Sequence, residues 1–125
     1  MNMTKNLPYD RAQRVADEIH HIITSACYNN LSDPRLKGLE ITYVKMTKDL
    51  QTARVFFYFQ NSTDETRRKA QKGLESASGF FKKIIGDEMK LRYMPAIEYF
   101  FDETVDLQEK IEEIISKKGA ADEKL

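Results

Sequence analysis

Arg68, Lys72, Ser76, Gly79 and Lys83 recur at steps of three and four residues. On a helix that turns about 100° per residue they share an arc of about 80°. Cations spaced one turn apart can meet successive phosphates of a nucleic acid, and each contact releases counterions. Ala70, Leu74, Ala77, Phe81, Ile84 and Ile85 fall within an opposite arc of about 100°. The segment is therefore expected to bury one stripe and present another made of basic, small polar and glycine residues. Lys82 borders the basic arc, whereas Arg67 lies further round. Gly79 interrupts the stripe at a helical cost of about 1 kcal/mol relative to alanine. Either a kink frees backbone amides to bind an anion, or glycine gives packing room beside Phe80 and Phe81 and the lysines are simply solvated. Both readings stay open on these residues alone. Gly73 is expected to be an ordinary helical glycine, neutral or improved on replacement by alanine.

Other reactive side chains carry less. His20 and His21 are adjacent and point about 100° apart on a helix, so they cannot form a two-histidine metal pair on one face. His21 shares an edge with Arg11 and Arg14 and is expected to be a plain surface histidine. Cys27 is the single cysteine, which excludes an internal disulfide and a multi-cysteine metal site. It lies among apolar helical positions and is expected to be a small core residue. There is no nucleophile elbow, phosphate-cradling glycine loop or HExxH, so an enzyme is not expected.

The elements that must position these residues follow from periodicity. Residues 11 to about 28 read as a helix, with Ala12, Val15, Ala16, Ile19, Ile22, Ile23 and Ala26 in one sector. Asn29-Asn30 stops it, and Asp33-Pro34 looks like a cap and the first position of a short turn ended by Gly38. Arg35 could instead belong to a binding corner. Residues 39–46 and 52–60 alternate as two strands expected to pair as an antiparallel hairpin. Ser62 with Glu65 fits a capping box that opens a helix near residue 63, running to about residue 90 with the break at Gly79. Residues 96–102 read as a third strand, and residues 105–117 as an amphipathic helix expected to pack on the domain through Ile111, Ile114 and Ile115. Phe56, Tyr58 and Phe100 fall on the strand faces opposite Val55, Phe57, Tyr99 and Phe101. They either stack on bases or support the sheet by cross-strand pairing, the latter being favoured.

The order gives an α+β domain with helices on one face of three strands. It is also the order of the type II KH fold, an RNA-binding architecture. At 125 residues, with no linker or repeat, one domain over residues 1–118 and a disordered tail over 119–125 are expected. No run approaches the ~20 apolar residues of a membrane span, and the polar start lacks a secretory block, so a cytoplasmic location is expected; the chain is also expected to be a monomer. The zero net charge hides a split: residues 1–92 hold 16 Lys/Arg against 11 Asp/Glu, and residues 93–125 hold 4 against 9. An RNA partner would meet the first part and avoid the second.

Asp33-Pro34-Arg35, Glu75-Ser76-Ala77-Ser78-Gly79-Phe80, Leu91-Arg92-Tyr93-Met94-Pro95 and Tyr99-Phe100-Phe101-Asp102-Glu103-Thr104 resemble, in order and spacing, the ribosome-binding factor A family. The resemblance covers roughly residues 10 to 115. It implies a KH-like α+β domain of order α-β-β-α-kink-α-β with a three-stranded sheet and an added C-terminal helix. Ala77-Ser78-Gly79 would be the Ala-x-Gly kink that stands where standard KH domains carry a Gly-x-x-Gly loop. The implied function is binding of the immature small ribosomal subunit and help with late folding and processing of its RNA, notably in the cold. No cofactor, nucleotide or metal is implied. The partners would be the small subunit and its rRNA, with ribosomal proteins or assembly GTPases beside them. The candidate RNA-binding residues are Arg11, Arg14, Arg35, Arg68, Lys72, Ser76, Ala77, Ser78, Gly79, Lys82, Lys83 and Arg92. A protein-interaction module with little direct RNA contact is the rival reading, suggested by the neutral total and the last helix. The family has a basic character, from which this neutral chain departs through its acidic C-terminal part.

Overall fold

Asp10 begins the first helix by accepting the Gln13 amide on its carboxylate at 2.9 Å, which satisfies one of the orphan donors at a helix start. From there a computed structural model describes residues 10–29 and 32–123. The elements are α1 (Arg11–Asn29), a 3₁₀ turn (Pro34–Leu36), β1 (Glu40–Met46), β2 (Thr52–Tyr58), α2 (Asp64–Glu88), β3 (Ala96–Phe101) and α3 (Thr104–Glu123). The sheet order is β1-β2-β3. The β1–β2 hairpin is antiparallel, as expected. β2 and β3 are parallel, an arrangement that a tight turn cannot make and that α2 provides as the crossover. This is the KH-like α+β architecture.

The core lies between the sheet and the paired helices. Ile19 and Ile23 of α1, Val55 and Phe57 of β2, and Leu74, Phe81 and Ile85 of α2 are almost wholly buried. Each such side chain contributes roughly 1.5–3 kcal/mol by leaving water. Two polar contacts fix the layers. The His20 Nε2–H donates to the Ile41 carbonyl at 2.7 Å, tying α1 to β1. The Tyr99 and Ser78 hydroxyls lie 2.6 Å apart, tying β3 to α2. Burial pushes the Tyr99 phenol up to about 12 and the Cys27 thiol up to about 11, so Cys27 is the inert packing residue its neighbours suggest.

The structure corrects the sequence reading at four places. The capping box sits one residue later than Ser62 and Glu65: the Thr63 hydroxyl accepts the Thr66 amide and Thr66 returns to the Thr63 amide. Second, α2 runs unbroken for 25 residues through Ala77-Ser78-Gly79. Among the described glycines only Gly38 has positive φ, at 77°, so Gly79 marks no change of backbone conformation. Third, the apolar side chains of α3 do not dock: Leu107, Ile111, Ile114 and Ile115 are 47 to 64% exposed. α1 and α2 already cover the helical side of the sheet. Among the described residues, only the start of α3 is held. Asp102 caps it by accepting the Thr104 amide at 3.0 Å, and Asp106 accepts the Tyr58 hydroxyl at 2.7 Å. Arg67 adds ion pairs of 3.9 Å to Glu103 and 3.6 Å to Asp106. Fourth, the helix passes the expected end at Lys117 and continues to Glu123. Residues 119–123 of the expected tail are thus helical, and 124–125 lie outside the described residues, as do 1–9.

Candidate nucleic-acid interface

An uninterrupted α2 lets the 3.6-residue period carry the basic stripe along the whole helix. Arg68, Lys72, Ser76, Gly79 and Lys83 are all exposed, while Ala70, Leu74, Phe81 and Ile85 on the far side are buried. Lys82 is partly buried at the stripe's edge, as are Ala77 and Ser78. Ser78 turns inward to Tyr99, so its hydroxyl belongs to the packing. No ion pair among the described residues engages Arg68, Lys72, Lys82 or Lys83. Their charge is therefore available to a ligand. Arg67, by contrast, lies against the Phe101 ring at 3.9 Å and is occupied with α3.

The other candidate residues divide by what holds them. Arg35 is committed: its guanidinium forks onto Asp33, with contacts of 2.7 Å from Nη2 to Oδ2 and 3.0 Å from Nε to Oδ1. The same carboxylate accepts the Arg35 amide at 2.9 Å and caps the 3₁₀ turn. These hydrogen bonds from Arg35 hold the Asp33 carboxyl below its usual range. The Asp33-Pro34-Arg35 corner is thus a structural turn. Arg11 and Arg92, distant in sequence, line one cleft of about 240 Å³ with Asp49, Leu50 and Tyr93. Arg14 is exposed on α1.

Two features escaped the sequence reading. Phe80 is 38% exposed and lines a groove of about 350 Å³ between α1 and α2 with His21, Ser25, Ile84 and Glu88. Its wheel position, between the basic and apolar arcs, was the available signal. The other is Gly73. A Cβ there would lie 3.0 Å from Leu36 Cδ2, 3.3 Å from Asp33 Oδ2 and 3.4 Å from Arg35 Cβ, whereas one at Gly79 would meet nothing within 4 Å. The glycine in close packing is Gly73, where α2 lies against the 3₁₀ turn. Gly79 leaves a low, open stretch between the stripe's cations. Among the described residues no His, Cys, Asp and Glu cluster could hold a metal ion, and no helix is long and apolar enough to cross a membrane.

A helical stripe of cations that make no ion pair among the described residues could hold a run of phosphates. The family model described as ribosome-binding factor A matches residues 11–115. Ribosome-binding factor A of Geobacter sp. (strain M21) is 40% identical over 113 residues, covering 90% of this chain and 94% of that protein. The solution structure of a putative ribosome binding factor A from Thermotoga maritima superposes with a TM-score of 0.64 at 29% identity, covering 74% of this chain and 88% of that one. A Thermus thermophilus ribosome binding factor A homology model, fitted into a cryo-EM map of a 30S complex, superposes with a TM-score of 0.58 at 19% identity, covering 72% and 92%. By a family match that spans most of its length and a relative of this identity, the chain belongs to the ribosome-binding factor A family, a non-catalytic family of ribosome-binding factors.

Proposed function

We propose that this chain binds the immature small ribosomal subunit and assists the late maturation of its RNA, notably in the cold, as a monomer in the cytoplasm. The observation that carries the reading is the α2 stripe: Arg68, Lys72 and Lys83 are exposed, aligned and free of ion pairs among the described residues. Phosphates at one-turn spacing are the ligand such a stripe suits. Gly79, with no side chain on the stripe, lets an RNA backbone approach the helix between the cations. Arg11, Arg14, Arg92, Lys82 and Ser76 extend the contact on this reading. The related protein fitted into a 30S complex supports the choice of subunit.

A second reading has its own observation. The exposed Leu107, Ile111, Ile114 and Ile115 of α3, flanked by Glu109, Glu112 and Glu113, suit an apolar and basic protein surface better than an anionic RNA. On that reading the main contact is with a ribosomal protein or another assembly factor. One experiment separates the two. Binding to purified immature small subunits is measured across a salt series for the native chain and for Arg68→Gln/Lys72→Gln/Lys83→Gln. RNA contact predicts steep salt dependence in the native chain, and a slope lower in the variant by up to about 0.9 for each lost phosphate on duplex RNA. A flat series with no effect of the triple change moves the main contact to α3.

A further inference from the structure

The sheet face turned away from α1 and α2 carries one aromatic residue from each strand in a single row. Tyr43 of β1 pairs in register with Phe56 of β2, and Phe56 with Phe100 of β3. The β-bulge between Ile41 and Tyr43 sets this alignment: it places Tyr43, rather than Thr42, opposite Phe56 and turns it to the open side. The ring centroids are 5.8 Å and 5.5 Å apart, with planes tilted by 41° and 31°. Tyr43 is 47% exposed and Phe100 42%, with Phe56 partly buried between them.

Cross-strand contact explains why the rings touch, but it does not require three large apolar surfaces to stay in water. The core lies on the other side of the sheet. The neighbouring row on the same face holds Lys45 opposite Arg54 and Arg54 opposite Glu98. Lys45 has no ion pair among the described residues, and the Arg54–Glu98 pair is long, at 3.7 Å, and exposed at both ends, so it yields easily to a stronger partner.

We infer that this row is a second RNA-binding surface, specific for unpaired nucleotides, in which Tyr43, Phe56 and Phe100 stack on bases while Lys45 and Arg54 meet the phosphates. Aromatic rings set one strand apart, with cations one row away, are the chemistry by which sheet-based readers hold two or three bases. Bases within a duplex stack on one another and have no free face for these rings. The two surfaces have different substrates: α2 meets the phosphates of folded RNA on one side of the domain, and the sheet takes single-stranded RNA on the other. The inference rests on the reading of the chain as an RNA-binding factor, but not on the α2 stripe being its main contact.

The test uses the full chain, a fluorophore-labelled mixed-sequence single-stranded RNA octamer and a blunt RNA duplex of the same length. The octamer is expected to bind more tightly than the duplex and to shift the ring resonances of Tyr43, Phe56 and Phe100. Phe56→Leu and Phe100→Leu keep apolar side chains on the sheet and are each expected to weaken octamer binding about tenfold. Arg68→Gln/Lys72→Gln/Lys83→Gln is expected to retain the ring shifts even where it loses the subunit, which keeps failure of the α2 reading distinct from failure of this one. Native-like octamer affinity in well-folded leucine variants overturns the inference. So does an octamer that leaves the native ring resonances unmoved, a result that stands even if the variants fold poorly. Crosslinking of the row to a protein instead of RNA on the bound subunit overturns it as well.

Discussion

α2 packs one face on the sheet and on the 3₁₀ turn, burying Ala70, Gly73, Leu74, Phe81 and Ile85. α3 is nearly as long and also has an apolar stripe in its sequence, yet every residue of that stripe stays exposed. The two helices differ in what surrounds them. α2 is the crossover between two adjacent parallel strands, so the chain returns across the sheet and the helix must lie on it. α3 follows β3 rather than joining two strands and, among the described residues, is held at its first turn by Asp102, Tyr58 and Arg67. Amphipathic spacing states that a face can be buried. Connectivity decides whether this fold buries it.

The sharpest way to break that comparison is to remove an apolar side chain from each helix. Phe81→Ala is expected to lower the unfolding free energy by about 3–5 kcal/mol, because Phe81 is completely buried. Ile111→Gln on α3 is expected to change it by less than about 0.5 kcal/mol. Denaturant titrations of both variants decide the matter, and a large loss at Ile111 would mean that α3 docks in solution.

A finer comparison lies within α2. Gly73→Val is expected to destabilise by about 1–3 kcal/mol through overpacking, since Leu36 is buried and the Asp33 carboxylate is fixed by Arg35. Gly79→Ala is expected to stabilise by up to about 1 kcal/mol through helix propensity, reversing the sequence-based expectation that placed the special glycine there. Melting temperatures of the pair measure both signs. If Gly79→Ala is more stable but binds immature subunits less well, the open stretch at Gly79 serves RNA approach alone.

The smallest effect concerns the hold on α3. The hydrogen bond to the Asp106 carboxylate, with burial behind it, raises the Tyr58 phenol to about 12. A raised value means that its stabilisation is complete below the unfolded phenol's pKa of about 10 and disappears as pH climbs through the folded one. The stability difference between the native chain and Tyr58→Phe should therefore shrink as pH rises from about 10 to 12. An unchanged difference across that window would show that the bond contributes nothing.

Much of this was legible in the residues. The 3.6-residue and two-residue periods placed α1, the hairpin, α2 and β3, and the wheel positions of Arg68, Lys72 and Lys83 put them on the exposed side of α2. Gly79 misled because its cost in a helix suggested a local purpose, while Gly73 owes its purpose to a contact with residues about forty positions earlier. Gly73 sits near the apolar arc, but only the folded chain brings Leu36 against it. Arg35 could be read as free or paired until the turn closed it onto Asp33. The row of Tyr43, Phe56 and Phe100 depends on the β-bulge at Thr42, which strict alternation along β1 does not reveal.

The parallel pairing of β2 and β3 has a consequence during synthesis. β1 and β2 can form their hairpin as soon as Tyr58 has emerged, but the other edge of β2 waits for Ala96–Phe101. At translation rates of roughly 5–20 residues per second, that delay lasts on the order of two to nine seconds. Throughout it, Val55 and Phe57 belong to a strand with one unpaired edge, the form in which nascent chains are most open to wrong partners. The early residues of α2, capped locally by Thr63 and Thr66, are made within that interval and can cover the apolar face of β2 before its edge is closed.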